Sequence, residues 1–308
     1  MRVAVIGAGA MGGMFGARLS EVGHDVLLVD VARQLVDHVN AHGLVVESEG
    51  EQTTFALEAT TTPADNDPVD VIVVFVKGYH TASAMELAEP LVTSSTIVVT
   101  LQNGWGNADT IASVTDPGRI VVGVTNNSAT VRELGRVAHT GRGVTYVGPY
   151  DETGSPAHAE LIAELLGRAG FEVEVRRRVR LEIWNKLVLN AATLPTAALT
   201  GMTAGALGEP GPMRDLVDDV AREAVEVAQA NGYQLSVDER IGYIHQLLAG
   251  AGSGKASMLQ DFEAARQTEI DTINGAVVAM GERAGVKVAL NRALVALVKG
   301  YERTKGLT

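Results

Sequence analysis

The hydrophobic positions along the chain divide it into two parts with different periods. In the first part, short apolar runs alternate with helix-period stretches, and runs such as 71–76 and 97–99 are apolar without a break. Unbroken apolar runs of this length are typical of parallel strands that are buried on both faces. The pattern predicts strands at 2–7, 25–30, 44–47, 70–76, 96–101, 120–124, 144–147 and 171–175, with helices at 81–91 and 157–169 among them.

Strand-like runs stop after Arg180, and long helix-period segments take their place. Alternating strands and helices predict a doubly wound parallel sheet, whereas helices alone predict a bundle. We therefore expect an α/β protein, with an N-terminal Rossmann-type domain at 1–178, a C-terminal all-helical substrate-binding domain at 179–308, and the substrate in the cleft between them. The predicted helices of the second domain are 180–199, 212–231, 237–250, 257–284 and 290–304.

The first predicted strand runs into a glycine-rich turn, G-x-G-x-x-G, formed by Gly7, Gly9 and Gly12. In dinucleotide-binding folds the first glycine permits the tight turn, the second lets the backbone approach a pyrophosphate, and the third lets the helix pack closely on the sheet. Asp30 ends the next apolar run, where an acid can accept hydrogen bonds from the adenosine ribose. We predict a dinucleotide site made by these residues together with Met11 of the same turn.

Composition and charge exclude several other classes of function. The net charge is −12 and the pI is near 5.1, so nucleic acid is not an expected partner. The chain has no cysteine, which excludes disulfides and thiolate metal sites and suits a reducing cytoplasm. No apolar run is long enough to predict a membrane helix, and no metal-binding motif is present, so we expect a cytoplasmic protein with no metal.

Two polar residues follow predicted strands at the edge of the sheet where ligands bind. Lys77 comes directly after the run 71–76, and Asn103 follows the run 97–100. Both are therefore candidates for contact with the cofactor, and Asn103 also for contact with substrate. Each is followed by glycine, so ordinary turn chemistry is an alternative explanation for either residue alone.

The start of the predicted helical domain is apolar except for a few residues that need an explanation. Lys186 and Asn190 are four residues apart, so they share one face of a helix. A lysine in apolar surroundings has a pKa that is lowered towards neutrality, which suits a proton donor. A surface lysine whose stem covers apolar groups is the alternative.

A third segment combines a possible helix start with two acids. Ser257 and Gln260 match the capping box S-x-x-Q, and a helix N-terminus attracts a carboxylate. Glu269 and Asp271 are two residues apart and so point to different faces. We expect one of them to serve a site while the other is solvated, with an ordinary surface acid as the alternative for Glu269.

Taken together, these motifs resemble those of the ketopantoate reductases (2-dehydropantoate 2-reductases), in the same order and over essentially the whole chain. The motif formed by 257–261 and 268–275 is the most specific of them, and the glycine motif is the least specific. The stretches that carry the resemblance are 7–12, Lys77 at its strand end, Gln102-Asn103-Gly104, 184–190, 257–261 and 268–275.

The resemblance implies a function and roles for individual residues. Such enzymes reduce the ketone of 2-dehydropantoate to the D alcohol pantoate with a nicotinamide cofactor. By similarity, Lys186 is the general acid and Glu269 holds the hydroxyl or ketone region of the substrate. Ser257 would bind the carboxylate side, Asn190 would contact substrate, and Lys77 and Asn103 would border the nicotinamide.

Two positions depart from the family pattern. The usual enzymes favour NADPH and carry an arginine just after the second strand, whereas this chain has Asp30 and Val31 there and Arg33 slightly later. NAD(H) is therefore favoured here, while NADP(H) is the family default. Leu194 stands where the family often has an asparagine, which fits the branch of NAD-dependent D-2-hydroxyacid dehydrogenases that take branched or aromatic 2-keto acids.

Several questions stay open from the sequence. A dinucleotide-binding sensor without turnover would use the same fold and is the alternative of another class. The apolar faces of 212–231 and 290–304 fit either a homodimer interface or core packing. The glycine-rich loop 250–254 precedes Ser257 and is a candidate lid.

Overall fold

The computed structural model describes residues 1–307, which form two compact units. The N-terminal unit consists of 1–102 and 107–180, and the C-terminal unit consists of 103–106 and the chain from Leu181 onwards. The first unit combines sheets with helices, and the second is built from helices. The predicted fold class, an α/β Rossmann-type part followed by an all-helical part, is confirmed.

The N-terminal unit contains twelve strands and five helices, joined in places by short 3-10 turns. The strands are β1 (Arg2–Ile6), β2 (Asp25–Val29), β3 (Leu44–Ser48), β4 (Glu51–Phe55), β5 (Glu58–Thr60), β6 (Val71–Val74), β7 (Ile97–Thr100), β8 (Ile120–Thr125), β9 (Ser128–Glu133), β10 (Arg136–Gly141), β11 (Thr145–Pro149) and β12 (Val173–Val175). The helices are α1 (Ala10–Glu21), α2 (Arg33–His42), α3 (Thr81–Ala88), α4 (Asn107–Ala112) and α5 (Ala157–Arg168).

The larger sheet has eight strands in the order β12-β11-β8-β7-β6-β1-β2-β5. From β5 to β8 all neighbours are parallel, while β11 runs antiparallel to β8 and parallel to β12. The chain leaves β1 for β2 on one side and returns to β6 on the other. The carboxyl ends of β1 and β6 are therefore neighbours at a topological switch point, the place where open α/β sheets bind their ligands.

A second sheet of four strands was not predicted. Its order is β4-β3-β10-β9, so the predicted strand at 44–47 pairs here and not in the larger sheet. Strands β4 and β9 are mostly polar and exposed, and they carry no apolar run that would mark them in the sequence. The short edge strand β5 of the larger sheet was missed for the same reason.

The C-terminal unit is formed by seven helices and one π-helical turn. Helix α6 begins at Val179 and continues through Pro195. The elements are α6 (Val179–Thr200), α7 (Ala204–Gly208), α8 (Pro212–Ala230), α9 (Val237–Gly250), α10 (Ser257–Glu263), the π-helical turn (Asp271–Gly275), α11 (Ala276–Ala284) and α12 (Ala289–Thr304).

The prediction of one continuous helix over 257–284 was wrong. Helix α10 ends at Glu263, and helical structure resumes only at Asp271. Ala265 adopts a left-handed backbone with φ of 48°, and the Thr268 N–H donates to the Glu302 carboxylate (2.8 Å) instead of to a helical carbonyl. A long-range partner thus takes a backbone donor that a continuous helix would have used.

The apolar faces of α8 and α12 are buried inside the core of the C-terminal unit, as are Trp184 and Val188 of α6. Packing within the unit therefore explains the helix-period pattern of both segments. Among residues 1–307, no helix is both long and apolar enough to cross a membrane.

Candidate active site

The three glycines of the first turn meet three different constraints. Gly7 has φ of +95°, and a Cβ there would lie 2.9 Å from the Val76 nitrogen. A Cβ at Gly12 would lie 1.9 Å from the Gly7 carbonyl oxygen. Apart from Gly9 itself and its two neighbours in the chain, no heavy atom of the protein would lie within 4 Å of a Cβ at Gly9. Folding therefore explains Gly7 and Gly12, whereas Gly9 borders open space.

The start of α1 fits a bound pyrophosphate. Gly9 is the N-cap, no side chain caps the helix, and the first turn carries no acid. The first backbone N–H groups of a helix lack intrahelical acceptors and lie at the positive end of its dipole, so they favour an anion. Met11 lies half-buried in this first turn. The open space at Gly9 and the uncapped helix together form a cradle for a dinucleotide.

The carboxylate of Asp30 is held at the end of β2 by two backbone donors. The Ala8 N–H donates to Oδ2 (2.8 Å) and the Ala32 N–H donates to Oδ1 (2.9 Å). A carboxylate has about four lone-pair sites, so acceptor capacity remains for two ribose hydroxyls. Arg33 directs its guanidinium to the Thr61 hydroxyl (3.2 Å). The residues at this corner therefore suit a ribose with free hydroxyls.

Lys77 follows β6 in a turn that Gln102 holds in place. The Gln102 side-chain amide donates to the Val76 carbonyl (2.7 Å) and to the Thr81 hydroxyl (2.9 Å). The Thr100 hydroxyl donates to the side-chain oxygen of Gln102 (2.9 Å), and the Gln102 side chain is buried. The sequence shows Gln102 only as part of the motif Gln102-Asn103-Gly104, and its role follows from these hydrogen bonds. The feature of the sequence that could have indicated this role is the position of Gln102, a polar residue just after a buried strand.

Asn103 belongs to a short segment that packs within the C-terminal unit. The backbone N–H of Trp105 donates to the Thr272 carbonyl (2.8 Å). Gly104 has φ of +88° and lies so close to this segment that a Cβ on it would be 2.5 Å from the same carbonyl oxygen. The Trp105 ring contacts Trp184, with centroids 5.2 Å apart. Asn103 is thereby anchored to the polypeptide segment that carries Glu269.

Lys186 lies on α6 among buried apolar neighbours. Trp184, Leu187 and Val188 are buried, and Lys186 itself is half-buried. Burial disfavours the charged ammonium and lowers the pKa of Lys186 to about 8, while the negative charge of Glu269 acts in the opposite direction. Asn190, one helical turn further on, is also buried. The structure thus gives Lys186 a pKa suited to proton transfer near neutral pH.

Glu269 and Asp271 differ in their surroundings. Glu269 is only 9% exposed, whereas Asp271 is exposed and pairs with Lys299. The backbone beside Glu269 is held by Glu302, which accepts hydrogen bonds from the Thr268 N–H (2.8 Å) and hydroxyl (2.7 Å) and is fully buried. Sequence reasoning missed Glu302 because its partner lies far away along the chain.

The predicted capping box at Ser257 was wrong. Ala256 has the extended backbone of the N-cap, with ψ of 147°, and Ser257 is already the first helical residue. The Gln260 side chain donates to the Lys255 carbonyl (3.0 Å) instead of reaching the N-cap. A cap side chain must come from the non-helical residue before the helix, so the Ser257 hydroxyl is one position too late. It is exposed.

The glycine-rich loop 250–254 is tied to the start of α7. The Ala204 N–H donates to the Gly254 carbonyl (2.8 Å) and the Gly205 N–H donates to the Gly252 carbonyl (3.0 Å). In the described part of the chain, no group of three or more His, Cys, Asp or Glu side chains is arranged to hold a metal ion.

Comparison with known proteins decides the family. Models described as ketopantoate reductase PanE/ApbA and its C-terminal domain match residues 3–152 and 178–302. The chain belongs to the ketopantoate reductase family. The recognised resemblance is confirmed, and with it the prediction of a nicotinamide-dependent oxidoreductase.

Among the family's curated members, the chain is 34% identical to a 2-dehydropantoate 2-reductase of Archaeoglobus fulgidus, over 98% of each chain. It is 32% identical to one of Pyrococcus horikoshii, over 99% of each chain. Among solved structures, a D-mandelate dehydrogenase with NADH and anilino(oxo)acetate superposes with a TM-score of 0.95 at 27% identity, covering both chains fully. A ketopantoate reductase from Ralstonia eutropha gives a TM-score of 0.91 at 31% identity, over 99% of this chain and 100% of that chain.

The contrast between Gly9 and Gly12 can be tested directly. Gly9→Ala should leave the unfolding temperature near that of the parent and weaken NADH binding about tenfold or more, because the methyl group enters the space left for the pyrophosphate. Gly12→Ala is the matched control and should lower the unfolding temperature, because its methyl group overlaps a backbone carbonyl. Thermal denaturation and NADH fluorescence titration measure both effects. Unchanged NADH affinity in Gly9→Ala would contradict the assignment.

Proposed function

We propose that this chain reduces a 2-keto acid to the corresponding D-2-hydroxy acid, with NADH as the preferred cofactor and 2-dehydropantoate as the first candidate substrate. The observation that carries the proposal is the half-buried Lys186, whose pKa is lowered to about 8 and on which the charge of Glu269 acts. The dinucleotide cradle of the N-terminal unit supports the same reaction. A binding protein without turnover does not require a lysine whose pKa is lowered in this way.

The chemistry assigned to the chain's own residues is proton donation. The cofactor, when bound, supplies a hydride to the keto carbon. As negative charge builds on the carbonyl oxygen, the Lys186 ammonium transfers a proton to it and becomes a neutral amine, which solvent then reprotonates. Glu269 keeps Lys186 protonated before the reaction, because its negative charge opposes the effect of burial. Stabilisation of a developing oxyanion and general acid catalysis are usually large contributions.

Substrate binding is assigned to polar groups of the C-terminal unit. The exposed Ser257 hydroxyl is proposed to hold the substrate carboxylate, and the amides of Asn103 and Asn190 to bind its remaining oxygens. Glu269 is proposed to bind the hydroxyl or ketone region, and Lys77 to border the nicotinamide. These roles come from the family resemblance, and the burial of Asn190 and Glu269 fits a site that is shielded from bulk water.

The preference for NADH rests on Asp30. Its carboxylate is fixed by two backbone N–H groups, so it cannot turn away from a ligand without losing both bonds. A 2′-phosphate at this corner would meet a fixed negative charge, and the Arg33 guanidinium is directed to Thr61. The structurally similar D-mandelate dehydrogenase is a complex with NADH, which agrees with this preference.

A second candidate substrate class is favoured by Leu194. The family pattern often has an asparagine there, and a leucine cannot hydrogen-bond a substrate hydroxyl. Leu194 is half-buried and packs against the apolar core of the C-terminal unit. Branched or aromatic 2-keto acids without a hydroxyl suit an apolar side chain at this position, and the similarity to a D-mandelate dehydrogenase agrees with this. Identity to curated 2-dehydropantoate 2-reductases favours the first candidate.

A panel assay tests the proposed reaction. Loss of NADH or NADPH absorbance is followed with 2-dehydropantoate and with 2-keto acids that carry branched or aromatic side chains. We expect turnover with at least one of them, and a higher kcat/KM with NADH than with NADPH. No turnover with any 2-keto acid would contradict the proposal and favour the sensor.

Asp30→Asn provides the control for the cofactor part of this assay. It keeps the shape and one acceptor oxygen of the side chain and removes the charge. We expect kcat/KM with NADPH to rise about tenfold relative to NADH, because the repulsion of a 2′-phosphate is removed. A strong preference for NADPH in the parent enzyme would contradict the role given to Asp30.

The role of Lys186 predicts both a pH dependence and the effect of its removal. In the direction of keto acid reduction Lys186 must be protonated, so the rate should fall as the pH rises through about 8. Lys186→Met should lower kcat by about 10²–10⁴-fold and abolish this dependence, while NADH affinity changes by less than about threefold.

Lys287→Met is the matched control, since Lys287 is exposed and lies outside the proposed site. It should leave kcat, its pH dependence and NADH affinity as in the parent. Near-normal turnover by Lys186→Met would remove Lys186 from the mechanism, even if the panel assay had shown that the chain is a reductase.

A further inference from the structure

One backbone carbonyl of α6 is left without its helical partner and is taken by a distant side chain. Proline has no N–H, so Pro195 cannot donate to the carbonyl of Ala191, four residues earlier. Ala191 is fully buried, so bulk water does not reach this oxygen. The Asn274 side-chain amide donates to it at 2.9 Å. Ala191 lies five residues after Lys186 on the same helix.

Asn274 lies in the π-helical turn that begins two residues after Glu269. In this turn the Gly275 N–H donates to the Ile270 carbonyl (2.9 Å), five residues back. π-Helical turns are rare and often mark functional sites. The bond from Asn274 to α6 therefore ties the turn beside Glu269 to the helix that carries Lys186.

The second N–H of the Asn274 amide is also used. It donates to the Asn291 side-chain oxygen (3.0 Å), and the Asn291 amide donates in turn to the Glu223 carboxylate (3.0 Å). Glu223 also accepts the backbone N–H groups of Leu290 and Asn291 at the start of α12. Both donors of Asn274 are thus satisfied by groups whose own positions are fixed, so the amide has little freedom to move.

The oxygen of the same amide shows that packing alone does not explain Asn274. Asn274 is fully buried, and within the described chain its side-chain oxygen has no hydrogen-bond partner. A buried acceptor without a partner is destabilising, and an apolar side chain of similar size would avoid that cost. The presence of asparagine at this position is therefore explained by the hydrogen bonds that its amide nitrogen donates to Ala191 and Asn291.

We propose that Asn274 is a positioning residue: by bonding to the carbonyl that Pro195 leaves open, it sets the separation between the Glu269 carboxylate and the Lys186 ammonium. The inference rests on the proposed function in one respect, because it gives that separation a role in proton donation. The positioning itself concerns only residues of the C-terminal unit and can be measured without substrate or cofactor.

Three variants separate positioning from stability. Asn274→Leu keeps the branched shape and the number of heavy atoms of the side chain, removes the bond and leaves the Ala191 carbonyl unsatisfied, so the unfolding temperature should fall by about 2–6 °C. Pro195→Ala restores the missing N–H to the helix. The double variant Asn274→Leu, Pro195→Ala should recover most of the unfolding temperature, because the carbonyl again has a donor, yet the turn beside Glu269 stays unattached.

The deciding readout is the pKa of Lys186, measured by NMR of the isotope-labelled lysine side chains in the protein alone. The chain has only six lysines, and Lys186→Met identifies the signal. Glu269 raises the pKa of Lys186, so a loosened Glu269 should lower that pKa by about 0.5–1 unit in both variants that carry Asn274→Leu. Should Asn274→Leu alone fail to fold, the double variant still decides the question.

Thr196→Val is the control on the same helix. The Thr196 hydroxyl bonds only to carbonyls of α6 itself (2.8 and 2.9 Å), so its loss should lower stability slightly without changing the pKa of Lys186. A Lys186 pKa that is unchanged in the double variant, or restored together with stability, would overturn the proposal.

The pH dependence of keto acid reduction separates this inference from the proposed function. If Lys186 is the proton donor, the loss of rate at high pH should move downwards by the same amount as its pKa. If the NMR pKa moves and the rate profile does not, Asn274 positions Glu269 as proposed and Lys186 is not the acid.

Discussion

The interaction on which the rest of the account depends is the one between a desolvated ammonium and a buried carboxylate. Burial alone would drive Lys186 towards the neutral amine, and the charge of Glu269 opposes this. The balance leaves the pKa of Lys186 at about 8, close enough to neutral pH for the group to be protonated and still to release its proton readily. The proposed proton donation therefore requires that two segments far apart in the chain be held at a fixed separation.

Buried polar groups of the C-terminal unit hold the segment that carries Glu269 in place. Glu302, fully buried, holds Thr268 on one side of Glu269, and Asn274 bonds to Ala191 on the other. Buried polar groups cost free energy unless they are paired, and each of these leaves one oxygen atom without a partner in the described structure. Glu302 bonds to the backbone beside Glu269, and Asn274 ties the turn that follows Glu269 to α6, so both residues fix the shape of this segment.

The sequence allowed prediction of those features that depend on local pattern. The glycine turn, the buried parallel strands and the long helix α6 were predicted because periodicity and short motifs report them directly. The polar strands of the second sheet were missed because their pairing, not their composition, makes them strands. The break between α10 and the π-helical turn was missed because its cause, Glu302, lies on another helix. Gln102 and Asn274 belong to recognised motifs, but only their hydrogen-bond partners show what each of them holds.

The central claim is that Lys186 delivers a proton to the oxygen that accepts negative charge. The most direct measurement is a crystal structure of the complex with NAD⁺ and a 2-hydroxy acid product. The account predicts the Lys186 Nζ atom at hydrogen-bond distance, about 2.6–3.2 Å, from the C2 oxygen of that product. A complex in which Nζ points to bulk water, with another donor at the C2 oxygen, would contradict it.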